Sequence, residues 1–280
     1  MNFVVSYPKS GNTWNRLVTA AYRADVSSED LAQFRTEDSD LPEMRFSDIG
    51  AGHYQSASPI PVADIDFVTQ ARLRPAAMLR LARDIALSSS REPLLVQSHH
   101  FYKKVGGIPL WHSEWVDRVI NPIRDPREIC CSHAAHFGCS YEQSARSMDM
   151  AGASAGASTE WSLTWMTGSW SEHVRSWLSV KDFPVFTVRY EDLKADPVGQ
   201  FYEIFKFLDA PCLSVDAVED AVEKTRFDRL KETKGEPGTG HKGEFFRSGK
   251  TDGWKDELPV EVARKIEADH GDVMEQLGYL

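Results

Sequence analysis

Short apolar runs rich in β-branched residues alternate along the chain with longer stretches of helical periodicity. The apolar runs are typical of buried strands and cover residues 3–5, 94–96, 116–120 and 185–188. The helical patterns include residues 161–178 and a helix that begins with an Asp196 cap and Pro197. Because no internal repeat or interdomain linker interrupts this alternation, we expect a single-domain α/β fold with a central, mainly parallel β-sheet flanked by helices.

The amino-acid composition and net charge of the chain disfavour several classes of function. Of 280 residues, 41% are hydrophobic, which supplies a full core and excludes global disorder. The formal net charge of -10 disfavours binding to nucleic acid or anionic lipid through bulk charge, but permits a local basic pocket for a small anion. Four cysteines are too few for a disulfide framework. With no export signal and no apolar run of about 18 residues, we expect a cytoplasmic protein without nucleic-acid or membrane partners.

A glycine-containing turn at residues 7–14 lies between the first predicted strand and a helical pattern. Such a turn directs backbone N–H groups and a helix N-terminus at an anion, and Lys9 adds a full positive charge. This is phosphate-binding chemistry, although Lys9 precedes Gly11, whereas lysine follows glycine in the Gly-x-x-x-x-Gly-Lys-[Ser/Thr] loop. An ordinary strand-to-helix turn is the alternative interpretation.

Two further segments carry cationic groups. Asp125 followed by Pro126 resembles a helix N-cap, so Arg124 lies at the carboxyl end of a strand, where open α/β sheets bind ligands. Ser132 follows two turns into that helix, and its hydroxyl and the Arg124 guanidinium are suited to clamp one phosphate. Residues 245–255 form a basic, glycine-containing loop with aromatic side chains, which by itself is typical of solvated surface.

With these three segments in this order, the chain resembles the PAPS-dependent, cytosolic-type sulfotransferases. The resemblance covers nearly the whole chain and implies one sulfotransferase domain over residues 1–280 with a P-loop-like nucleotide-binding architecture. It implies an enzyme that moves a sulfuryl group from PAPS (3′-phosphoadenosine 5′-phosphosulfate) to a hydroxyl of a small-molecule acceptor, such as a phenol, an alcohol or a hydroxylated natural product. PAP is then the product nucleotide, and no metal is implied.

The resemblance also implies roles for individual residues. Lys9 would hold the bridging oxygen of the phosphosulfate and take part in catalysis. The implied cofactor-binding residues are Lys9, Ser10, Gly11, Asn12, Thr13, Trp14, Arg124, Ser132, Tyr190, Thr225, Phe246, Arg247, Ser248 and Gly249. Among them, Gly11, Asn12 and Thr13 would bind the 5′-phosphate. The 3′-phosphate would be bound by Arg124, Ser132, Arg247 and Gly249. The adenine side would be contacted by Trp14, Tyr190 and Thr225.

Residues 95–100 resemble the strand end that carries the catalytic histidine in this family, and the matching residue in this chain is His99. Histidine suits a general base because its pKa lies near neutral pH. Adjacent side chains of a strand point to opposite faces, so we expect His99, rather than His100, to face the sulfuryl group. The family's usual lysine two positions before the histidine is Gln97 here, and Asn12 and Ser248 replace a frequent threonine and a frequent lysine.

Two other interpretations of the chain stay open. A P-loop-type phosphoryl transferase, which normally needs Mg²⁺, or a non-catalytic nucleotide-binding module would use the same turn. A zinc site is disfavoured, because the cysteines and histidines in residues 130–139 have neither zinc-ligand spacing nor a shared helical face. Cys130 and Cys131 are therefore expected to be small core residues.

The acceptor itself cannot be read from the chain. We expect its pocket to be built from residues 34–67, with Phe46, His53 and Tyr54, and from a lid in residues 151–170. These segments offer aromatic and apolar walls. The sequence leaves the oligomeric state open.

Overall fold

The computed structural model describes residues 1–24, 26–32, 41–87, 94–156, 158–232 and 251–280. Four of the implied cofactor residues lie outside these ranges, namely Phe246, Arg247, Ser248 and Gly249. Among the helices of the described ranges, none is both long and apolar enough to cross a membrane.

Strands and helices alternate through the described residues. The strands are β1 (Asn2–Val5), β2 (Val96–Ser98), β3 (Lys104–Val105), β4 (Ile108–Pro109), β5 (Arg118–Ile123), β6 (Ser154–Ala155), β7 (Trp165–Met166) and β8 (Val185–Arg189). The helices are α1 (Asn12–Arg23), α2 (Ser28–Ala32), α3 (Pro42–Arg45), α4 (Ala51–Gln55), α5 (Phe67–Leu87), α6 (Pro126–Phe137), α7 (Tyr141–Asp149), α8 (Trp170–Leu178), α9 (Tyr190–Ala195), α10 (Pro197–Phe207), α11 (Val215–Lys224), α12 (Phe227–Glu232), α13 (Trp254–Glu257) and α14 (Val260–Gln276), with a 3₁₀ turn at Val62–Asp64.

Within the described part of the chain, four strands form one parallel sheet in the order β2-β1-β5-β8. Val4 of β1 is paired with Gln97 of β2 on one side and with Ile120 of β5 on the other. The predicted α/β fold with a central parallel sheet is confirmed. Strand β2 starts two residues later than the start of the apolar run at 94–96, because its pairing with β1 covers Val96–Ser98.

Both faces of the sheet are covered by apolar side chains. In β1, Phe3 and Val5 pack on one face and Val4 packs on the other, and all three are fully buried. Burial on both faces explains why the strands appear as continuous apolar runs. Cys130 and Cys131 are also buried, in a further apolar cluster, as predicted.

Two of the helices that flank the sheet start at the predicted caps. The Asp125 carboxylate accepts the N–H of Arg127 at the start of α6. The Asp196 carboxylate accepts the N–H of Gly199 at the start of α10. Both predicted helix starts are confirmed. They could be predicted from the sequence because a carboxylate cap followed by proline depends only on neighbouring residues.

The helix predicted over residues 161–178 is wrong in its first half. The two residues of β7 pair antiparallel with β6, and α8 begins only at Trp170. Ser169 and Glu172 form a capping box at this start. The spacing of the large side chains was compatible with a helix, but strand pairing overrides this periodicity.

Candidate active site

A cavity of about 880 Å³ lies at the carboxyl ends of the parallel strands. Its walls include the segments that follow all four strands of the sheet, which is where open α/β sheets bind ligands. The candidate residues on these walls are Lys9, Gly11, Asn12, Thr13, Trp14, His99, Arg124, Ser132, Tyr190 and Thr225. Ser10 is fully buried beneath the turn instead. The structure therefore brings sequence-distant candidates together in one site.

The turn after β1 has a left-handed backbone at two positions. Lys9 has a φ of 71°, and Gly11, directly before α1, has a φ of 102°. Because a left-handed φ strains a residue that carries a side chain, the turn holds strain at Lys9. The first-turn N–H groups of α1 have no acceptor within the helix, and Asn12 and Thr13 lie on the cavity wall. This helix N-terminus is therefore suited to an anion.

We expect Gly11→Ala to destabilise the fold by about 1–2 kcal/mol. A Cβ at Gly11 would lie 2.9 Å from Cδ2 of Tyr190, and the left-handed backbone adds strain. Urea unfolding measures the loss. The matched control is Gly52→Ala in α4, where a Cβ would meet nothing within 4 Å, and it should be neutral or slightly stabilising. Equal effects of the two substitutions would contradict this expectation.

The Asn12 side chain joins two strands beneath the cavity. Its Nδ2 donates to the carbonyl oxygens of Val4, at 3.1 Å, and Ser98, at 3.2 Å, and so ties β1 to β2. Any contact of Asn12 with an anion therefore falls to its backbone N–H. The nearby Ser10 hydroxyl is buried and has no hydrogen-bond partner among the described residues.

Arg124 lies between the turn, α6 and α9. Its Nη1 donates to the Lys9 carbonyl at 3.2 Å, and its Nη2 donates to Glu128 Oε2 at 3.2 Å. The guanidinium carbon lies 4.4 Å from the centre of the Tyr190 ring. Ser132 lies on the cavity wall two turns along α6. A planar cation fixed on three sides at a cavity wall is suited to bind a phosphate.

His99 lies on the cavity wall with a defined tautomer. Its Nδ1 lies 2.7 Å from the Ser6 carbonyl oxygen, so Nδ1 carries the proton and donates it. Its Nε2, which then holds a lone pair, lies 3.4 Å from the amide nitrogen of Gln97. Burial lowers the pKa of His99 to about 4, so the imidazole is neutral at neutral pH. A neutral imidazole on the cavity wall is chemically able to accept a proton, but a pKa of about 4 makes it a weaker base than the near-neutral pKa expected from the sequence.

His100 lies in the core, away from the cavity. It is fully buried, and its Nδ1 accepts the N–H of Met166 at 3.0 Å. Burial lowers its pKa to about 3. His99 and His100 therefore differ in their access to the cavity, and of the two only His99 is among the residues that line the described cavity.

Three histidines close to one another should make the fold acid-sensitive. Burial lowers the pKa of His99 to about 4 and that of His100 and His173 to about 3, from an ordinary value of 6.5. A lowered folded-state pKa stabilises the fold above pH 6.5, and this stability is lost as the pH falls towards about 4. Each group contributes a slope of up to about 1.4 kcal/mol per pH unit in this window.

Urea unfolding at pH 7, 6 and 5 tests this expectation. His173→Gln removes one of the three groups and should flatten the decline in the free energy of unfolding. A free energy of unfolding that stays constant over this range would contradict the expectation.

Comparison with known proteins decides the family. The family model of the sulfotransferase domain matches residues 2–278. The chain belongs to the sulfotransferase family. It is 30% identical over 194 residues to Sulfotransferase 2A2 of Rattus norvegicus, a region that covers 65% of this chain and 64% of the rat protein. The chain thus spans less than two thirds of the length of curated relatives that it matches.

Solved structures of the same fold align with nearly the whole chain. Retinol dehydratase in complex with androsterone and the inactive cofactor PAP has a TM-score of 0.55 and 16% identity, over 98% of this chain and 80% of that chain. Mouse sulfotransferase SULT7A1 complexed with PAP has a TM-score of 0.53 and 17% identity, over 97% and 82%. At these identities the likeness establishes the P-loop-like sulfotransferase fold.

Trp165 and Lys194 are two of the residues that line the described cavity without having been assigned to the site individually from the sequence, although Trp165 lies in the predicted lid segment. Trp165 donates its Nε1–H to Asp48 Oδ1 at 2.9 Å, and its ring centre lies 4.8 Å from that of His99. Lys194 of α9 also lines the cavity, with its Nζ 5.7 Å from the centre of the Trp14 ring. Trp165 was assigned to a helix, and Lys194 has no local signal because its neighbours come from other parts of the chain.

The expected acceptor walls need correction. Phe46 and Tyr54 are buried in the core, and His53 lies 3.5 Å from Asp84. None of these three is among the described residues that line the cavity. Tyr54 is held below the surface because its hydroxyl donates to the Asp48 carbonyl at 3.1 Å. The predicted lid segment does contribute to the wall, through Ala155, Gly156 and Trp165.

Proposed function

We propose that this chain transfers a sulfuryl group from PAPS to a hydroxyl group of a small-molecule acceptor, with His99 as the general base. The observation that carries the proposal is the shared cavity of a neutral histidine, an anion-binding turn and the Arg124 guanidinium. A nucleotide with phosphate groups at both its 5′ and 3′ positions needs two anion sites, and the N-terminus of α1 and Arg124 supply them.

The proposed step begins with the acceptor hydroxyl. His99 Nε2 takes its proton, and the acceptor oxygen forms a bond to sulfur. The bond between sulfur and the bridging oxygen of the phosphosulfate breaks, and its electron pair stays on the 5′-phosphate of PAP. The Lys9 ammonium stabilises the charge that develops on this oxygen. The Gln97 amide, which lies 3.4 Å from Nε2, must give way to the acceptor hydroxyl.

The relatives support a hydroxylated acceptor of low polarity. Retinol dehydratase has been crystallised with androsterone and PAP, and with retinol and PAP. In this chain the cavity wall includes apolar surface from Trp165, which lies beside His99, and from Ala155 and Phe137. We therefore propose phenols, sterols and other apolar alcohols as the acceptor classes to examine.

The reaction class is tested with two labelled donors. We expect ³⁵S from labelled PAPS to appear in a phenol, sterol or alcohol acceptor without added metal. ATP labelled at the γ-phosphate, with Mg²⁺, should transfer nothing to the same acceptors. Phosphoryl transfer from ATP, or tight binding of PAPS without turnover of any acceptor in a broad panel, would contradict the proposal.

A further inference from the structure

Glu128 is a buried carboxylate that touches two separate parts of the site. It lies in the first turn of α6, four residues after Arg124, and is 1% exposed. Its Oε2 accepts Nη2–H of Arg124 at 3.2 Å, and its Oε1 accepts the backbone N–H of Trp254 at 2.9 Å. One side chain therefore bridges the cavity arginine and the start of α13.

Glu128 is one of three groups that together hold the Arg124 guanidinium in one orientation. The Lys9 carbonyl holds Nη1, Glu128 holds Nη2, and the ring of Tyr190 supports the face of the plane. Bidentate recognition of a phosphate depends on the orientation of this plane. If the carboxylate were removed, the guanidinium would lose one of its fixed points.

Burying a carboxylate beside an anion-binding site costs free energy, so its presence there indicates a role in the site. Burial raises the pKa of the Glu128 carboxyl, and the N–H of Trp254 and the charge of Arg124 oppose this rise. Both oxygens are thus hydrogen-bonded, which offsets the desolvation of the group. The neighbouring Arg127 guanidinium lies 3.9 Å from the centre of the Trp254 ring and holds the same segment from a second side.

We propose that Glu128 is a positioning residue that orients Arg124 for the 3′-phosphate of the nucleotide. The inference rests on the proposed function. PAP and AMP differ by this 3′-phosphate alone, so the ratio of their dissociation constants reports on the Arg124 site.

Calorimetry of PAP and AMP with a set of variants tests this role. We expect Glu128→Ala to weaken PAP binding about 10-fold and to leave AMP binding unchanged, because one charge-assisted contact is misplaced. Glu128→Gln keeps an acceptor oxygen and should restore PAP binding to within about 3-fold of the unsubstituted protein. Glu267→Ala is the matched control, since its carboxylate contacts Arg127 at 2.7 Å instead, and PAP binding should not change.

A double substitution separates positioning from general loss of stability. In Arg124→Ala, the further change Glu128→Ala should not weaken PAP binding again, because the group through which Glu128 acts is already absent. An equal, additive loss would overturn the inference. If Glu128→Ala does not fold, Glu128→Asp keeps the charge on a shorter side chain and should show the same selective loss for PAP. A Glu128→Asp protein that prefers PAP as strongly as the unsubstituted protein would equally overturn it.

The same data distinguish two failures. If the unsubstituted protein binds PAP and AMP equally, the proposed function fails and the role of Glu128 fails with it. If the unsubstituted protein prefers PAP and the folded Glu128 variants keep that preference, the role of Glu128 alone is wrong.

Discussion

Replacing His99 with alanine should lower kcat by about 10²- to 10⁴-fold while PAP binds nearly as tightly as before. The imidazole is neutral because burial lowers its pKa to about 4, and the Ser6 carbonyl holds its Nδ1–H at 2.7 Å. In the proposed reaction, Nε2 is therefore the atom that takes the acceptor proton. Without Nε2, the acceptor hydroxyl must lose its proton to water. Removing the base therefore affects the transition state rather than nucleotide binding.

His100→Ala is the control for the base. Its side chain is buried and accepts the Met166 N–H, so we expect a loss of stability with kcat within a few-fold of the unsubstituted value. Steady-state rates with saturating PAPS, combined with urea unfolding of both variants, separate the two effects. If His100→Ala abolished turnover while His99→Ala kept it, the assignment of the base would be wrong.

Arg124→Ala should weaken PAP binding roughly 10- to 150-fold and change AMP binding little. PAP carries a 3′-phosphate that AMP lacks, and a guanidinium that pairs with it contributes on the order of 1.5–3 kcal/mol. Calorimetric titration of both nucleotides with both proteins gives the two ratios directly. Equal weakening of PAP and AMP would show that Arg124 does not contact a 3′-phosphate.

Arg118→Ala is the matched control for this change. Arg118 begins β5, whereas Arg124 follows its end, so the two arginines lie about 20 Å apart along the same strand. Arg118 pairs with the exposed Asp209. We expect PAP affinity to be unchanged in this variant, because an exposed ion pair away from the cavity contributes little.

The parts of this fold that the sequence predicts are those with local or one-dimensional signals. The caps at Asp125 and Asp196 need only their immediate neighbours, and both helices start where expected. The strands of a parallel sheet are buried on both faces, so they stand out as apolar runs such as residues 3–5. The turn around Gly11 is recognisable for the same reason, since a glycine between strand and helix is a local pattern.

The walls of the acceptor side depend on contacts that no local pattern reports. Trp165 reaches the cavity because β7 pairs with β6 and its indole N–H is held by Asp48, more than a hundred residues away. Phe46 and Tyr54 have the aromatic character of pocket walls, but they pack into the core instead. Hydrophobicity predicts burial, and it does not distinguish a core position from a pocket wall.

The strand order has a consequence for how the chain is made. Strand β1 lies in the middle of the sheet, yet its partners β2 and β5 are synthesised about 90 and about 115 residues later. At a translation rate of about 5–20 residues per second, the apolar β1 waits on the order of 5–20 s for its neighbours. During that interval it is an unpaired, hydrophobic edge. We therefore expect slower translation between β1 and β5 to lengthen this exposure and to increase aggregation of the nascent chain.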